Sequence, residues 1–215
     1  MAVQVSLGAF SLLKLFLQAS NTMPELPEVE TIRRDLFKVL PGRTILDVDI
    51  LRPSVIKQPA AQNFQRQMAN RTIEDVLRRG KLLVFPLSGQ KFLTVHLRMT
   101  GALLYGRCGV CPRVVFKLDN GLPLSYEDRR CLGELRLVDD YRDLEFVRSL
   151  GKEPFDLKPR EFVRLLGKKR SAIAAVLLDQ SVIAGVGNIY AQEALFRAGI
   201  DPRRPAESLD GEEAK

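Results

Sequence analysis

Residues 113–126 read RVVFKLDNGLPLSY, two short β-rich runs that meet at Asp119-Asn120-Gly121. These three residue types favour a tight turn, because Asn and Gly accept the backbone conformations that hairpin turns require. Similar runs separated by turn residues occur on both sides of this stretch: TILDVDIL at 44–51, KLLVFPL at 81–87, KFLTVHL at 91–97 and GELRLV at 133–138. The pattern predicts a mostly antiparallel β-sandwich or barrel between about residues 44 and 138.

A helical pattern precedes the β-rich region. Pro27 suits the first turn of a helix, and Pro41-Gly42 ends the apolar periodicity that follows it. The apolar residues at helical spacing are Val29, Ile32, Leu36, Val39 and Leu40. One amphipathic helix is therefore predicted directly before the sheets.

The pattern is helical again beyond residue 158. Pro159 opens PREFVRLLG, Ser171 stands where it can cap SAIAAVLLD, and Asn188 stands where it can cap NIYAQEALFRAG. The segment LGKEPFDLKP at 150–159 has the Gly and Pro content of a linker. The sequence thus predicts an α+β protein, with an N-terminal helix and sandwich domain at 23–150 and a partial helical domain at 151–215.

Both ends of the chain carry expectations of their own. Residues 3–19 are mostly apolar, but they lack a basic region and are interrupted by Lys14. They make a poor signal peptide and too short a membrane span, so we expect 1–22 to be an extension or a mis-started segment before a true start at Met23. Ser208 or Asp210 is placed to cap a final helix, with Glu212 and Glu213 in its first turn, which predicts a helix cut short at the C-terminus.

Charge and cysteine content narrow the partners and the compartment. A net charge of +7 and a pI near 9.5 favour an acidic partner, nucleic acid ahead of an anionic membrane surface. Three cysteines cannot pair completely, which excludes a disulfide scaffold and favours a reducing cytosol. Cys108 and Cys111 form one CxxC, with only Cys131 and His96 as further ligand candidates, so an ordinary loop is favoured over a metal site.

Four separated stretches resemble, in the same order, the bacterial formamidopyrimidine-DNA glycosylases, which repair oxidised purines. They are MPELPEVET at 23–31, RRGKLL at 78–83, HLRMTG at 96–101 and AGVGNIYAQEALFRAGIDP at 184–202. The resemblance runs from Met23 to Lys215. It implies a catalytic sandwich domain followed by part of a DNA-binding domain with a helix, two-turn, helix element. It further implies a monomer that acts on damaged double-stranded DNA in the bacterial cytoplasm, in association with the nucleoid.

The resemblance assigns catalysis to three residues. Pro24 is implied as the nucleophile, because the secondary amine of an N-terminal proline can attack C1′ and form an iminium ion, whereas an internal proline nitrogen is an amide that cannot. Glu25 is implied as an acid that helps to open the deoxyribose ring, and Lys81, placed by the family on a strand, as an acid during elimination. Read without the family, Glu25 is a helix N-terminal charge and Lys81 a solvated strand end.

The resemblance also assigns the contacts to flipped-out DNA. Met99 is implied to fill the gap that the damaged nucleotide leaves, although core packing explains a lone methionine equally well. Arg130 matches the arginine that faces the orphaned base. Leu132 stands where phenylalanine is usual, so wedging replaces stacking. His96 begins the same HLRMTG motif and is counted with the DNA-binding residues.

Phosphate contacts are expected from Arg113, Lys169 and Asn188. Lys169 lies in a KKR run just before a predicted helix, whose first amides also favour a phosphate, although such a run is ordinarily a solvated face. Asn188 ends GVGN, where two glycines let another group approach the backbone closely. Its simpler role is an N-cap, and the two roles are compatible.

One part of the family pattern has no counterpart here. The family's C-terminal zinc finger, with four cysteine ligands, does not match any stretch of these 215 residues. We therefore expect no metal site and no cofactor in this chain, and one zinc ion in a complete family member. The expected function is base excision repair of oxidised purines by a glycosylase with abasic-site lyase activity. Two alternatives stay open: an inactive DNA-binding fragment, and an endonuclease VIII-like enzyme for oxidised pyrimidines, which usually has glycine where Leu26 stands.

Overall fold

The computed structural model describes residues 23–211 and 213, so the predicted extension at 1–22 and the predicted first-turn residue Glu212 lie outside the described residues. The helices are α1 (Leu26–Phe37), α2 (Ala61–Met68), α3 (Glu145–Arg148), α4 (Pro159–Leu166), α5 (Ile173–Leu178) and α6 (Asn188–Ala198). The strands are β1 (Thr44–Ile50), β2 (Ile56–Gln58), β3 (Arg71–Thr72), β4 (Leu77–Arg79), β5 (Leu82–Leu87), β6 (Lys91–His96), β7 (Gly101–Tyr105), β8 (Pro112–Leu118), β9 (Pro123–Asp128) and β10 (Glu134–Val138).

The strands form two five-stranded sheets, in the orders β3-β1-β8-β9-β7 and β2-β10-β6-β5-β4. All pairs are antiparallel except β2 with β10, which run parallel. One hydrophobic core draws side chains from both sheets, for example Phe116 from the first and Phe85 from the second. The predicted sandwich is therefore confirmed. Helix α2 and the short strands β2, β3, β4 and β7 were not predicted.

The hairpin between β8 and β9 forms where the sequence predicts it. Lys117 pairs with Pro123 at the end of the ladder, and the Gly121 N–H donates to the Leu118 carbonyl at 3.0 Å. The turn is tightened from within, since the Leu122 N–H donates to the Asn120 side chain at 3.1 Å. A local turn signal thus determines the pairing of two central strands.

Helix α1 closes one side of the sandwich core. Pro27 lies in its first turn, where its missing N–H leaves no bond unmade. Val29 and Leu36 are buried in the sandwich core with Leu40, which follows the helix, and Ile32 packs against them. The predicted amphipathic helix is confirmed, and its burial fixes the direction of the residues just before it.

The helices after residue 158 surround a second, separate core. Its buried members include Leu166, Ile173, Val176, Leu177, Ala191 and Leu195. All three predicted helices form, but two of the expected caps are wrong. Ala172, not Ser171, precedes α5 and makes no side-chain cap, and Gly187 precedes α6, so Asn188 is its first residue.

The segment between the two cores is pinned on both sides. On the helical side, the Gly151 N–H donates to the Gln180 carbonyl and the Ala184 N–H to the Lys152 carbonyl, each at 2.9 Å. On the sandwich side, the Arg79 guanidinium donates to the carbonyls of Leu150 and Gly151 at 3.1 and 2.7 Å. Residues 150–153 therefore form a strap that ties the helices to the end of β4.

Among the described residues, no helix has the length and apolar character needed to cross a membrane.

Candidate active site

The amino-terminal segment docks onto the first turn of α6 through Glu25. Its carboxylate, only 2% exposed, accepts hydrogen bonds from the backbone N–H groups of Gly187 and Ile189 at 2.8 Å and of Tyr190 at 3.3 Å. A helix leaves its first N–H groups without internal partners and carries partial positive charge at that end. Glu25 accepts from these N–H groups and places its negative charge at the positive end of the helix. A residue from the start of the sandwich domain therefore caps a helix of the other core.

Two glycines make this close approach possible. A Cβ on Gly187 would lie 2.3 Å from Cδ of Glu25, and one on Gly185 would lie 2.4 Å from Cδ1 of Leu26. The sequence predicts that these glycines let a group approach the backbone. In the structure that group is the protein's own amino-terminal segment, which occupies the helix amides that the prediction left to a phosphate.

A second carboxylate braces the first. The Glu25 N–H donates to Glu28 at 3.0 Å, and the Tyr190 hydroxyl donates to the other Glu28 oxygen at 2.8 Å. Partial burial and the adjacent Glu28 carboxylate raise the pKa of Tyr190 to about 12, so the hydroxyl stays protonated and remains a donor. Pro24 is partly exposed directly before this braced pair.

Lys81 lies beside the amino-terminal segment, in the turn just before β5 rather than on a strand. It lines a cavity of about 240 Å³ together with Met23, His96, Arg98 and Gln180. Burial lowers the pKa of Lys81, and the charges of Glu25 and Glu28 oppose that shift. The cavity thus brings together the residue before Pro24 and the lysine that the sequence assigns to catalysis.

His96 contributes a neutral ring to the same cavity. Burial and the charge of Arg98 lower its pKa to about 4. The ring Nδ1 accepts a hydrogen bond from the Arg98 N–H at 3.1 Å, which leaves Nε2 as the protonated nitrogen of the neutral ring. His96 is the chain's one histidine, and in this form it can donate a hydrogen bond without adding positive charge beside Lys81.

The residues expected to enter the DNA stack form a separate group. The Arg130 guanidinium contacts Met99 Sδ at 3.2 Å, so these two side chains lie together. Leu132 is 43% exposed on the same loop, which bends at Cys131 with φ +53°. Met99 is partly exposed rather than buried in either core, which argues against plain core packing.

A buried carboxylate shapes that loop. Asp128 accepts hydrogen bonds from the Tyr126 hydroxyl at 3.1 Å, from the Gly133 N–H at 2.8 Å and from the Arg130 N–H at 3.1 Å. The Thr100 hydroxyl donates to the same carboxylate. Because both ends of the loop and the turn next to Met99 meet at one side chain, Asp128 determines where Met99 and Arg130 point.

The three expected phosphate-binding residues lie on different elements. Arg113 donates from Nε to the Asp128 carbonyl at 2.7 Å, with its remaining guanidinium donors open to a further partner. Asn188 is exposed and accepts from Gln192 at 3.2 Å. Lys169 lies four residues before the six-residue α5.

The CxxC loop is organised by Glu127. The Gly109 and Cys111 N–H groups donate to its carboxylate at 2.9 and 2.8 Å, and the cysteines themselves are free thiols. Within residues 23–211 and 213, no group of three or more His, Cys, Asp or Glu side chains is placed to hold a metal ion. The described residues therefore do not fit the family's zinc.

Several site residues escaped the sequence reasoning. Glu153 and Arg78 form a largely buried ion pair at 2.8 Å next to the Lys81 turn. Gln180 donates to the Val186 carbonyl at 2.7 Å and accepts from the Gly185 N–H at 2.9 Å. Tyr190 orients Glu28. A buried charge in a Gly- and Pro-containing linker carries no periodic signal, and only the fold shows what it contacts.

The comparisons with known proteins agree with this geometry. Residues 23–135 match the formamidopyrimidine-DNA glycosylase N-terminal domain, and residues 150–215 match its H2TH domain. The formamidopyrimidine-DNA glycosylase of Moorella thermoacetica is 46% identical over 199 residues, covering 89% of this chain and 73% of the relative. That of Pelotomaculum thermopropionicum is 46% identical over 195 residues, covering 87% and 71%.

Solved structures give the same result. The Lactococcus lactis Fpg bound to FAPY-dG DNA superposes with a TM-score of 0.82 at 30% identity, covering 88% of this chain and 74% of that one. The same Fpg bound to DNA with an abasic site gives a TM-score of 0.81 at 30% identity over 88% and 73%. The sandwich, the helices and the docked amino-terminal segment define a DNA glycosylase of base excision repair. The chain belongs to the formamidopyrimidine-DNA glycosylase family.

Proposed function

We propose that this protein excises oxidised purines from duplex DNA and then cleaves the strand at the resulting abasic site, with Pro24 as the nucleophile. The observation that carries the proposal is the convergence of three sequence-predicted groups: Pro24 directly precedes a Glu25 fixed by three backbone N–H groups, and Lys81 shares a cavity with Met23. The relatives' shared name and their complexes with FAPY-dG and abasic-site DNA support the substrate class.

The chemistry requires a free secondary amine. The nitrogen of Pro24 attacks C1′ of the damaged nucleotide, the bond to the base breaks, and the base leaves with a proton. In the resulting aminal the C1′–O4′ bond then breaks as O4′ takes up a proton, and the iminium ion formed in this way acidifies the 2′ hydrogen. Loss of that proton expels the 3′ phosphate, which breaks the strand. Glu25 supplies the proton that opens the deoxyribose ring, and Lys81, with a pKa lowered by burial, serves as the acid during elimination.

Binding rests on the two exposed groups around this site. Met99, Arg130 and Leu132 fill the space left by the extruded nucleotide, and Arg113, Lys169 and Asn188 contact phosphates. His96, which lines the same cavity as Lys81, donates a hydrogen bond from its neutral ring. Residues 23–150 would thereby carry the chemistry and residues 151–215 the helical DNA contacts. We place this work on double-stranded DNA in the bacterial cytoplasm, at the nucleoid, and expect a monomer.

The purine preference rests on the relatives and not on a residue of the site. Leu26, the residue that separates this sequence from endonuclease VIII-like relatives, is 4% exposed and packs against Gly185. Its role is to seat the amino-terminal segment, so it acts on the lesion only indirectly. The relatives' name, rather than Leu26, supports oxidised purines over oxidised pyrimidines.

Borohydride trapping tests the proposal. A protein that begins at Pro24 should form a stable adduct with DNA containing an abasic site or 8-oxoguanine, because borohydride reduces the iminium to an amine. The same protein that retains residues 1–22 should give no adduct, since Pro24 is then an amide. An adduct of the longer form that maps to Lys81 or another lysine would refute Pro24 as nucleophile. Salt-sensitive DNA binding without any adduct from either form would instead favour the inactive DNA-binding alternative.

A further inference from the structure

The Lys81 turn is held from below by a carboxylate to which neither the sequence nor the proposed chemistry gives a role. Glu153, 8% exposed in the strap between the two cores, accepts a hydrogen bond from the Gly80 N–H at 2.7 Å. The same carboxylate pairs with the Arg78 guanidinium at 2.8 Å and with that of Arg79 at 3.5 Å. Every residue of the stretch 78–80 that leads into Lys81 therefore contacts Glu153.

The Lys81 turn is held through the Gly80 carbonyl as well as through the Gly80 N–H. Arg78 donates from Nη1 to the Gly80 carbonyl at 2.9 Å, so one ion pair secures both backbone groups of the residue before Lys81. Gly80 has φ +57°, and a Cβ there would stand 3.5 Å from Leu150 and 3.6 Å from Ala184. The turn is thus seated in a pocket formed by the strap and by the loop before α6.

The same ion pair reaches the helix that carries the amino-terminal segment. Arg78 donates from Nε to Glu30 of α1 at 3.0 Å, while its Nη2 lies on Glu153. Arg33 and Arg34 also bind Glu30, at 3.0 and 2.8 Å, and together these contacts lower the pKa of Glu30 to about 2. Glu30 is therefore ionised at neutral pH, and the chain α1–Arg78–Glu153 links the two elements that bear Pro24 and Lys81.

We propose that Glu153 is a positioning residue that sets the distance between Lys81 and the Pro24 nitrogen. It acts through the Gly80 N–H and Arg78 and does not touch DNA. This role rests on the proposed function, because it matters only if Lys81 and Pro24 act on the same sugar. A displacement of about 1 Å between reacting groups can lower a rate by about a hundredfold, so a loose turn should slow the step that uses Lys81.

The test compares two readouts on the protein with a free Pro24 amine and preformed abasic-site DNA. Borohydride trapping reports iminium formation by Pro24, and strand cleavage reports the elimination step. Lys81→Ala gives the reference pattern, a ratio of cleaved to trapped strand about tenfold to a hundredfold below that of the unaltered protein. Glu153→Ala should reproduce this pattern, and Glu153→Gln, which keeps an oxygen for the Gly80 N–H, should recover most of the cleavage.

A matched control and a second measurement separate positioning from stability. Glu161→Ala removes a partly exposed partner of Lys152 on the neighbouring helix and should leave the ratio unchanged. Amide hydrogen exchange at Gly80 should accelerate at least about tenfold in Glu153→Ala and return toward the original rate in Glu153→Gln. These amide rates are measured on the folded protein and do not depend on its activity.

The outcomes are distinct. Unchanged exchange at Gly80, or faster exchange with an unchanged ratio of cleaved to trapped strand, would overturn the positioning role. Equal losses of trapping and cleavage in Glu153→Ala and Glu153→Gln would show a general structural role and would also overturn it. No adduct from the unaltered protein would refute the proposed function, and with it the role of Glu153.

Discussion

Replacing Glu25 with alanine should weaken the contact between the sandwich and the helices, whatever its effect on the chemistry. The substitution leaves the N–H groups of Gly187, Ile189 and Tyr190 without their acceptor in a site where Glu25 is 2% exposed. Hydrogen bonds to a charged group contribute about 1.5–3 kcal/mol each. Two of the three bonds are short, so we expect the free energy of unfolding to fall by about 3–4 kcal/mol.

The assay is urea unfolding followed by circular dichroism, with amide hydrogen exchange at Gly187 and Ile189. A loss of this size corresponds to a melting temperature lower by about 10 °C for a protein of this length. Glu25→Gln should cost roughly half as much, about 1–2 kcal/mol, because one amide oxygen has acceptor sites for two of the three donors but carries no charge. Glu193→Ala, on the exposed face of the same helix, is the matched control and should change stability by less than about 0.5 kcal/mol.

One result would refute this reasoning. If Glu25→Ala unfolds at the same urea concentration as the unaltered protein, and Gly187 and Ile189 exchange no faster, the three N–H groups do not depend on Glu25. The capping role of Glu25 would then have to be abandoned, even if the variant had lost its activity.

Three further predictions concern the rest of the site. With roughly six phosphate contacts, DNA affinity should fall about a thousandfold between low and physiological salt. Lys169→Ala should weaken binding to all duplexes alike, whereas Arg130→Ala should mainly change discrimination of the base opposite the lesion. Equal losses on every duplex for both variants would contradict this difference between a phosphate contact and a base contact. The folded pKa of His96, about 4, lies below its ordinary 6.5, so the unfolded chain binds more protons between these pH values. The free energy of unfolding should therefore fall by about 1–2 kcal/mol from pH 7 to pH 5. In urea titrations, His96→Gln should abolish this His96 contribution to the pH dependence. Leu132→Phe should tighten binding to abasic-site DNA at least about threefold through stacking, and unchanged affinity in a gel-shift titration would place Leu132 outside the stack.

The β-sandwich could be predicted from the sequence because its central strands carry local signals. The residue types of Asp119-Asn120-Gly121 predict a turn, and each long strand has enough β-forming residues to be recognised alone. Strand β3 has two residues and β4 three, too few for any periodic pattern, so they became visible only through their partners β1 and β5. The parallel pairing of β2 with β10 is likewise a product of tertiary packing.

The candidate site likewise contains residues that the sequence predicts and residues that only the fold reveals. Pro24, Glu25 and Lys81 lie in short motifs whose residues point to a chemistry, and a family resemblance connects the motifs. The supporting residues Arg78 and Glu153 act through partners far away in the chain, for example across the 73 positions between Gly80 and Glu153. Such contacts leave no local pattern. The cap at Asn188 was mispredicted for the same reason, because α6 is capped by Glu25 from a distant part of the chain.

Glu25 has both a structural and a proposed chemical task, and its acceptor sites show how strongly the structural task occupies it. A carboxylate offers about four lone-pair positions, two on each oxygen. Oε2 accepts from Gly187 and Tyr190 and Oε1 from Ile189, and the carboxylate also accepts from the Glu28 N–H in the capping box of α1. Four backbone N–H groups therefore meet about four acceptor positions, and this one side chain joins the start of α1 to the start of α6. The proposed role as an acid requires Glu25 to exchange one of these hydrogen bonds for the proton that it donates.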